Sequence, residues 1–162
     1  MSKMINRRQT LQLAALVGTG LLSDSPVFAS SATFEVTLSE AEWRQRLTLE
    51  QFAVLRQEST EPPFQNAYHD LKAVGIYHCA GCDLPLFSSE AKYDSGTGWP
   101  SFWQPITAKA IGTKTDWKLL VPRTEVHCHR CGGHLGHVFR DGPQPTGLRY
   151  CLNSAALRFV PT

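Results

Sequence analysis

The sequence lacks the features of a membrane protein or a repeat protein. Its 162 residues contain no low-complexity tract and no repeat beyond two paired cysteine motifs. The main apolar run, from Leu11 to Leu22, is shorter than the roughly 20 residues of a membrane-spanning helix. Length and composition are therefore those of a single ordinary globular domain.

The chain also lacks a basic surplus outside its N-terminal segment. The whole chain has 16 basic and 14 acidic side chains, a net charge of +2. The first 29 residues account for all of it, because they contain Lys3, Arg7, Arg8 and Asp24. The remaining 13 basic and 13 acidic side chains cancel (16 − 3 and 14 − 1). Nucleic-acid binding therefore loses its electrostatic basis.

The N-terminal segment has the pattern of an export signal. Basic residues precede the apolar run, and the segment Pro26 to Ala29, which ends in a small residue, follows it where a signal peptidase cuts. We therefore predict a signal over residues 1–29 and a mature domain over residues 30–162, in the periplasm or an equivalent compartment. The adjacent Arg7 and Arg8 resemble a twin-arginine signal, although basic pairs also occur in ordinary secretory signals.

Two short helices are predicted at the start of the mature domain. Ser39 and Glu42 form an S-x-x-E capping box, and the helix continues toward Arg46. Thr48 begins a second helix, which the Glu61-Pro62-Pro63 segment ends. The predicted buried stripe of that helix consists of Leu49, Phe52 and Leu55.

From Gly75 onward the sequence favours β structure. Short runs rich in aromatic and β-branched residues alternate with Gly, Pro and Asp. We predict a mainly β (α+β) fold, with a small antiparallel sheet or barrel and the two short helices packed on it. The predicted strands include Gly75 to His78, Trp117 to Val121, Glu125 to His127, His137 to Phe139, Arg149 to Asn153 and Leu157 to Val160.

Two C-x-x-C pairs indicate a metal site. Cys79 with Cys82, and Cys128 with Cys131, can each present two sulfurs from one tight turn. Four thiolates suit one structural zinc ion without an open coordination position. The wide gap between the pairs means that the fold must bring them together. Two disulfides, or one redox-active pair, are the alternatives.

The fifth cysteine, Cys151, has no partner in this scheme. A lone cysteine in a strand is usually a small apolar residue. Strand alternation, however, places Arg149, Cys151 and Asn153 on one face, and a positive neighbour lowers the pKa of a thiol. Asn153 can offer hydrogen bonds to a polar substrate. These neighbours make Cys151 a candidate nucleophile.

Two histidines and an aromatic loop complete the candidate site. The i, i+3 spacing of His134 and His137 suits a pair of metal ligands; alternatively they divide into one core and one exposed residue, or both face Cys151 as proton donors. Trp99, within the segment from Gly96 to Trp103, either packs under a long loop or lines a small apolar pocket. A rigid turn from Asp141 to Gly147 precedes the Cys151 strand.

Together these motifs resemble type B methionine sulfoxide reductases. The resemblance extends from about Ser39 to Val160, in the order C-x-x-C, Gly-Trp-Pro-Ser-Phe, C-x-x-C, His-Leu-Gly-His-Val-Phe, Asp-Gly-Pro-Gln-Pro-Thr-Gly and Arg-Tyr-Cys-Leu-Asn-Ser. It implies reduction of the R epimer of methionine sulfoxide, free or in proteins, on a β fold that often carries zinc.

The resemblance also implies roles for individual residues. Cys151 attacks the sulfoxide sulfur and becomes a sulfenic acid, and His134 or His137 helps to protonate the departing oxygen. Trp99 matches the residue that holds the substrate methyl group. The residues that match polar groups shaping the site are Asp141, Arg149 and Asn153.

One position departs from a common form of the family. Many members have a resolving cysteine where this chain has Thr97. With the other four cysteines assigned to zinc, we expect a one-cysteine cycle, in which a thioredoxin-like protein or a small thiol reduces the oxidised Cys151. We also expect the protein to be a monomer. The alternatives are an exported zinc-binding module without catalysis and a disulfide-stapled structural protein.

Overall fold

The structure, a computed structural model, describes residues 34–162. The predicted signal peptide lies outside these residues. Within them, no helix is long and apolar enough to cross a membrane. The helices are α1 (Glu40–Arg46) and α2 (Leu49–Gln57); the strands are β1 (Gly75–Cys79), β2 (Pro85–Ser88), β3 (Lys92–Tyr93), β4 (Ser101–Phe102), β5 (Ile111–Asp116), β6 (Arg123–Cys128), β7 (His134–Phe139), β8 (Arg149–Leu152) and β9 (Leu157–Pro161).

Both predicted helices are confirmed, each with a complete capping box. The Ser39 hydroxyl accepts a hydrogen bond from the Glu42 amide, and the Glu42 carboxylate accepts one from the Ser39 amide. Thr48 caps α2 through the same exchange with Gln51. Each exchange satisfies donors that the first turn of a helix leaves free.

The prediction that Leu49 belongs to the buried stripe of α2 is wrong. Phe52 and Leu55 are buried, but Leu49 is 86% exposed. Leu49 is the first residue of the helix, and Val54 is buried in its place. The short helix therefore buries its C-terminal half against the sheets.

The strands form two antiparallel sheets, which confirms the predicted fold class. One sheet has the order β2-β1-β9, and the other has the order β3-β4-β8-β7-β6-β5. Buried aromatic residues fill the core; the ring of Phe102 lies 5.0 Å from Tyr77 and 4.7 Å from Phe87. Strand β8 lies in the interior of the larger sheet, and its neighbours therefore determine the surroundings of Cys151.

The predicted strand from Trp117 to Val121 is wrong. These residues form the loop between β5 and β6. The Asp116 carboxylate accepts a hydrogen bond from the Lys118 amide at 2.8 Å, and this Asx turn ends β5. Pro122 has no amide to donate to a ladder. A run of strand-forming residues thus becomes an exposed turn.

Candidate active site and metal site

The two C-x-x-C turns have the same backbone geometry. The Cys79 amide donates to the Leu84 carbonyl, and the Asp83 amide returns a bond to Cys79. The second turn repeats both bonds with Cys128, at the same separations of five and four residues. The fourth residue after each first cysteine has a positive φ, 63° at Asp83 and 68° at Gly132. A left-handed backbone conformation at this residue closes each turn.

The turns bring four sulfurs into one cluster. All four lie within 4.8 Å of one another; Cys79 is 3.7 Å from Cys131, and Cys82 is 3.4 Å from Cys128. A tetrahedral ion with zinc–sulfur bonds of about 2.3 Å would separate its ligands by about 3.8 Å. These cysteines are free rather than disulfide-bonded. The cluster could therefore hold a metal ion, and its donor set suits zinc.

The N-terminal helices are tied to the cysteine cluster. Arg56 on α2 donates to the Cys131 carbonyl at 3.0 Å. Leu55 packs against Gly133, and a Cβ atom there would lie 2.8 Å from the leucine methyl group. The cluster therefore joins one turn from each sheet to α2, which is the arrangement expected of a structural site.

Cys151 lies on β8 between two polar cross-strand neighbours. In the antiparallel register it faces Ser101 on β4 and His137 on β7. A Cβ atom on Gly136 would lie only 2.1 Å from the Cys151 carbonyl oxygen. Glycine at this position therefore allows β7 to approach β8 closely enough to place His137 beside the thiol.

A small cavity opens over Cys151. Its volume is about 120 Å³, which is less than drug-sized ligand pockets occupy and suits one side chain. The indole of Trp99 and the ring of Phe139 supply apolar lining, and His137 supplies a titratable group. The whole lining consists of Thr60, Trp99, Arg123, Gly136, His137, Phe139, Cys151, Leu152 and Asn153.

An ion-paired carboxylate holds His137 in place. Its Nε2 atom lies 2.8 Å from the Asp116 carboxylate, which also pairs with Arg123 at 2.6 Å. Hydrogen bonds from the Lys118 amide and from His137 lower the pKa of Asp116. Burial lowers the pKa of His137, and Asp116 opposes that shift. The histidine is therefore a buried ring whose protonated form depends on its carboxylate partner.

His134 lies beside His137 but outside the cavity lining. The two rings are 5.4 Å apart, and His134 is 3% exposed. Its Nδ1 atom lies 3.2 Å from the carboxylate of Glu125, itself 2% exposed. Both histidines are therefore buried, which differs from the alternative of one core and one exposed residue. Only His137 reaches the cavity.

The resting Cys151 thiol is less acidic than its cationic neighbour suggested. Burial raises the pKa of Cys151; hydrogen bonding from Thr97 and the charge of Arg149 lower it by less. The Thr97 hydroxyl lies 3.8 Å from the sulfur and 2.8 Å from the Ser95 hydroxyl. A short chain of hydroxyl groups thus reaches the thiol, and sequence reasoning missed it.

Arg149 and Asp141 lie together, outside the cavity. The guanidinium donates two hydrogen bonds to the Asp141 carboxylate, at 2.9 and 2.7 Å. It also lies 4.4 Å from the centre of the Phe139 ring. Both residues line a separate depression that includes Thr97. The structure thus places this pair outside the cavity that Cys151 and Trp99 line, in a depression whose Thr97 contacts the thiol.

Glu61 connects the tryptophan to the strand of the thiol. Its carbonyl accepts a bond from the Trp99 indole at 3.0 Å, and its amide donates to the Asn153 side chain at 3.1 Å. Its buried carboxylate accepts from the Ser154 and Ala155 amides. In the sequence, Glu61 is recognisable only as part of the segment that ends α2. The Asn153 side chain also donates to the Leu135 carbonyl on β7. It therefore links Glu61 to β7 at the cavity.

Comparison with known proteins identifies the family. Residues 47–161 match the SelR domain. This chain belongs to the SelR domain family. A peptide methionine sulfoxide reductase MsrB of Hahella chejuensis is 55% identical over 125 residues, covering 77% of this chain and 90% of that protein. An MsrB of Pseudomonas aeruginosa is 56% identical over 119 residues, covering 74% and 90%. A chloroplastic peptide methionine sulfoxide reductase B1 of rice is 52% identical over 130 residues, covering 80% and 60%.

The SelR domain match includes both candidate sites. Its bounds enclose the four-cysteine cluster, the Cys151 cavity and α2, while α1 precedes it. The family resemblance inferred from motifs is therefore confirmed at the level of the family. Sequence reasoning missed four SelR domain residues that support or line the cavity, namely Thr60, Glu61, Asp116 and Arg123. They lie outside the quoted motifs, and only the fold brings them to Cys151.

Proposed function

We propose that this protein reduces the R epimer of methionine sulfoxide, free or protein-bound, to methionine. The observation that carries the proposal is the position of Cys151, in the wall of a small cavity shared by His137 and Trp99. The names of the MsrB relatives support the reaction class, an oxidoreductase acting on methionine sulfoxide. No specific observation favours a zinc module without catalysis.

Substrate binding in this proposal uses the apolar part of the cavity. The methyl group of the sulfoxide packs on Trp99, whose indole the Glu61 carbonyl holds at 3.0 Å. Phe139 lines the same space. A cavity of about 120 Å³ accepts a side chain but excludes the rest of a polypeptide. The sulfoxide sulfur is thereby presented to Cys151.

The chemical step transfers one oxygen atom. The sulfur of Cys151 attacks the sulfoxide sulfur and forms a sulfur–sulfur bond. The oxygen then passes to Cys151: the substrate S–O bond and the sulfur–sulfur bond break, an S–O bond forms on Cys151, and methionine leaves a sulfenic acid behind. His137 protonates the departing oxygen, and the thiol proton is released to solvent or base. Overall, thiol plus sulfoxide give sulfenic acid plus thioether, so two electrons pass from Cys151 to the substrate.

Recycling uses a thiol from another molecule. The external thiol displaces water from the sulfenic acid to form a mixed disulfide, and a second thiol releases Cys151 and an oxidised disulfide. A thioredoxin-like protein or a small thiol can supply both. The four other cysteines form the separate metal cluster, which we propose holds one structural zinc. We further propose that the protein acts as a monomer.

Single-turnover assays with each methionine sulfoxide epimer test this function. We expect the reduced enzyme to convert one equivalent of the R epimer and none of the S epimer. Conversion of neither epimer would refute the proposal and favour a non-catalytic zinc module. Conversion of the S epimer alone would refute the stereochemical assignment.

Replacing Thr97 with cysteine is expected to create an internal resolving thiol. The Thr97 hydroxyl oxygen lies 3.8 Å from the Cys151 sulfur, between Gly96 and Gly98, which both have positive φ. A disulfide needs sulfurs about 2.05 Å apart, so the loop must move by about 2 Å. Mass spectrometry after one turnover should show a disulfide between positions 97 and 151.

Thr97→Ser is the matched control for that variant. It keeps the hydroxyl, so Cys151 should appear as a sulfenic acid or as an adduct of an added thiol, as in the wild type. An intramolecular disulfide in the wild-type protein would contradict the one-cysteine cycle.

Asp116→Asn is expected to reduce turnover at pH 7 by about tenfold or more, because general acid catalysis contributes about 100-fold or more. Burial lowers the pKa of His137, and the Asp116 carboxylate raises it. Removing that charge lowers the pKa of His137 further. As pH rises, His137 in the variant therefore loses its proton, and with it the donor, at a lower pH than in the wild type. The pH profile of kcat measures this shift.

Asp70→Asn serves as the control, since Asp70 is an exposed carboxylate outside the Cys151 cavity. Its pH profile should match the wild type. An unchanged profile for Asp116→Asn would show that His137 does not supply the proton.

We also propose export by a twin-arginine route. The support is the order of Arg7, Arg8, the apolar run and Ala29 in the sequence. Cell fractionation and N-terminal sequencing should find a periplasmic form beginning at Ser30, and R7K/R8K should retain the precursor in the cytoplasm. A cytoplasmic wild-type chain with an intact N-terminus would contradict export.

A further inference from the structure

The loop between β5 and β6 carries an unusual group of exposed apolar side chains. The fractional exposures are 73% for Trp117, 57% for Leu119, 106% for Leu120 and 71% for Val121. These are four of the eight large apolar residues that are exposed in residues 34–162, and they lie within five positions. Such a concentration marks an interaction surface rather than scattered exposure. We call these four residues the apolar loop.

The base of the apolar loop is built into the active-site wall. Asp116 precedes the loop and binds His137, and Arg123 follows it and lines the Cys151 cavity. These two residues pair across the register of β5 and β6, with an ion-pair distance of 2.6 Å. Lys118 within the loop forms an ion pair with Glu58. The loop therefore begins and ends at residues that contact His137 or line the cavity.

The size of the cavity leaves the rest of a protein substrate outside it. About 120 Å³ accommodates the tip of one side chain, so flanking residues must lie on the surrounding surface. Methionine is usually buried among apolar residues, and its oxidation disrupts such cores. A chain that exposes methionine sulfoxide therefore tends to expose large apolar neighbours with it.

We propose that the apolar loop docks large apolar residues that flank methionine sulfoxide in an unfolded polypeptide. The inference rests on the proposed function and deepens it, since it names the substrate class that this site prefers. The occupant follows from the continuity of the loop with the Cys151 cavity through Asp116 and Arg123. Apolar contact there adds affinity for the peptide and leaves the reacting atoms unaffected.

Steady-state kinetics with three substrates test the docking role. The substrates are free methionine R-sulfoxide, a peptide with glycine and serine around the sulfoxide, and a peptide with leucine and phenylalanine there. The variants are L119S/L120S and the control Leu49→Ser, which changes an exposed leucine on α2, outside the loop (86% exposed).

We expect L119S/L120S to raise KM for the apolar peptide about tenfold, without a change in kcat. The polar peptide and free methionine sulfoxide have no large apolar neighbours that could contact the loop. Their kinetics with L119S/L120S should therefore stay within about twofold of wild type. Leu49→Ser should match wild type with all three. The KM effect confined to one peptide distinguishes docking from a structural defect, which would lower kcat with every substrate.

Several outcomes would overturn the proposal. One is equal wild-type kinetics for both peptides, and another is an unchanged KM in L119S/L120S. Sedimentation with phosphatidylcholine–phosphatidylglycerol vesicles that depends on Leu119 and Leu120, without peptide selectivity, would assign the loop to a lipid surface. Self-association lost in the same variant, again without selectivity, would assign it to a second copy. Failure to reduce any of the three sulfoxides refutes the proposed function itself.

Discussion

Cys151→Ser is expected to abolish methionine sulfoxide reduction, with a loss of at least about 10⁴-fold in the single-turnover rate. A hydroxyl is a much weaker nucleophile than a sulfur at neutral pH, and it cannot store the oxygen as a sulfenic acid. The substitution changes one atom in the wall of the cavity. We expect the folded structure and the metal content to be unchanged. The measurement is product formed per enzyme in the absence of added thiol.

Tyr150→Phe is the matched control on the same strand. Tyr150 neighbours Cys151, but its ring packs toward the core, 5.6 Å from Phe87. Removing its hydroxyl should leave the rate within about twofold of wild type. Wild-type activity in Cys151→Ser would show that another residue is the nucleophile, and the proposed mechanism would then be wrong.

Cys128→Ser is expected to release the metal ion and lower the free energy of unfolding by at least about 4 kcal/mol. Binding a structural zinc contributes about 10–16 kcal/mol in small domains, and three ligands retain only part of it. Because the cluster joins turns from both sheets to α2, its loss weakens contacts well beyond the ion. We expect the unfolding temperature to fall by about 10 °C or more.

The matched control for this effect is another cysteine of the same chain. Cys151→Ser should keep one bound metal and the wild-type unfolding temperature while losing activity. Thiol titration of the chelated, denatured wild-type protein should find all five cysteines. A single reactive thiol and no bound metal would instead indicate two disulfides and contradict the zinc proposal.

The helices and most strands were predictable because their signals are local. A capping box needs only residues three positions apart, and both boxes are present. Leu49 and the segment from Trp117 to Val121 were predicted wrongly for a common reason. Apolar character predicts burial or pairing, but the Asx turn at Asp116 and the early position of Leu49 leave these side chains exposed.

In the candidate site, too, some residues could be predicted from local motifs and others could not. Cys151, Trp99 and His137 belong to short motifs, and the cavity brings all three together. Glu61 and Asp116 belong to no recognisable motif. Their roles depend on hydrogen bonds to residues 92 and 21 positions away along the chain. An acidic residue that orients a distant side chain has no periodic or spacing signal.

By itself, the sequence determined the resemblance to type B methionine sulfoxide reductases, the predominance of β structure, the two helix starts and the grouping of the four cysteines into two turns. These depend on residue identity and short spacing. Only the tertiary structure decided that the two turns share one cluster, that His137 rather than His134 reaches the cavity, and that burial outweighs Arg149 in the pKa of Cys151. It also decided that Asp116 and Arg123, on either side of the apolar loop, contact His137 and line the cavity. These outcomes depend on strand order, register and burial, which short-range sequence patterns do not encode.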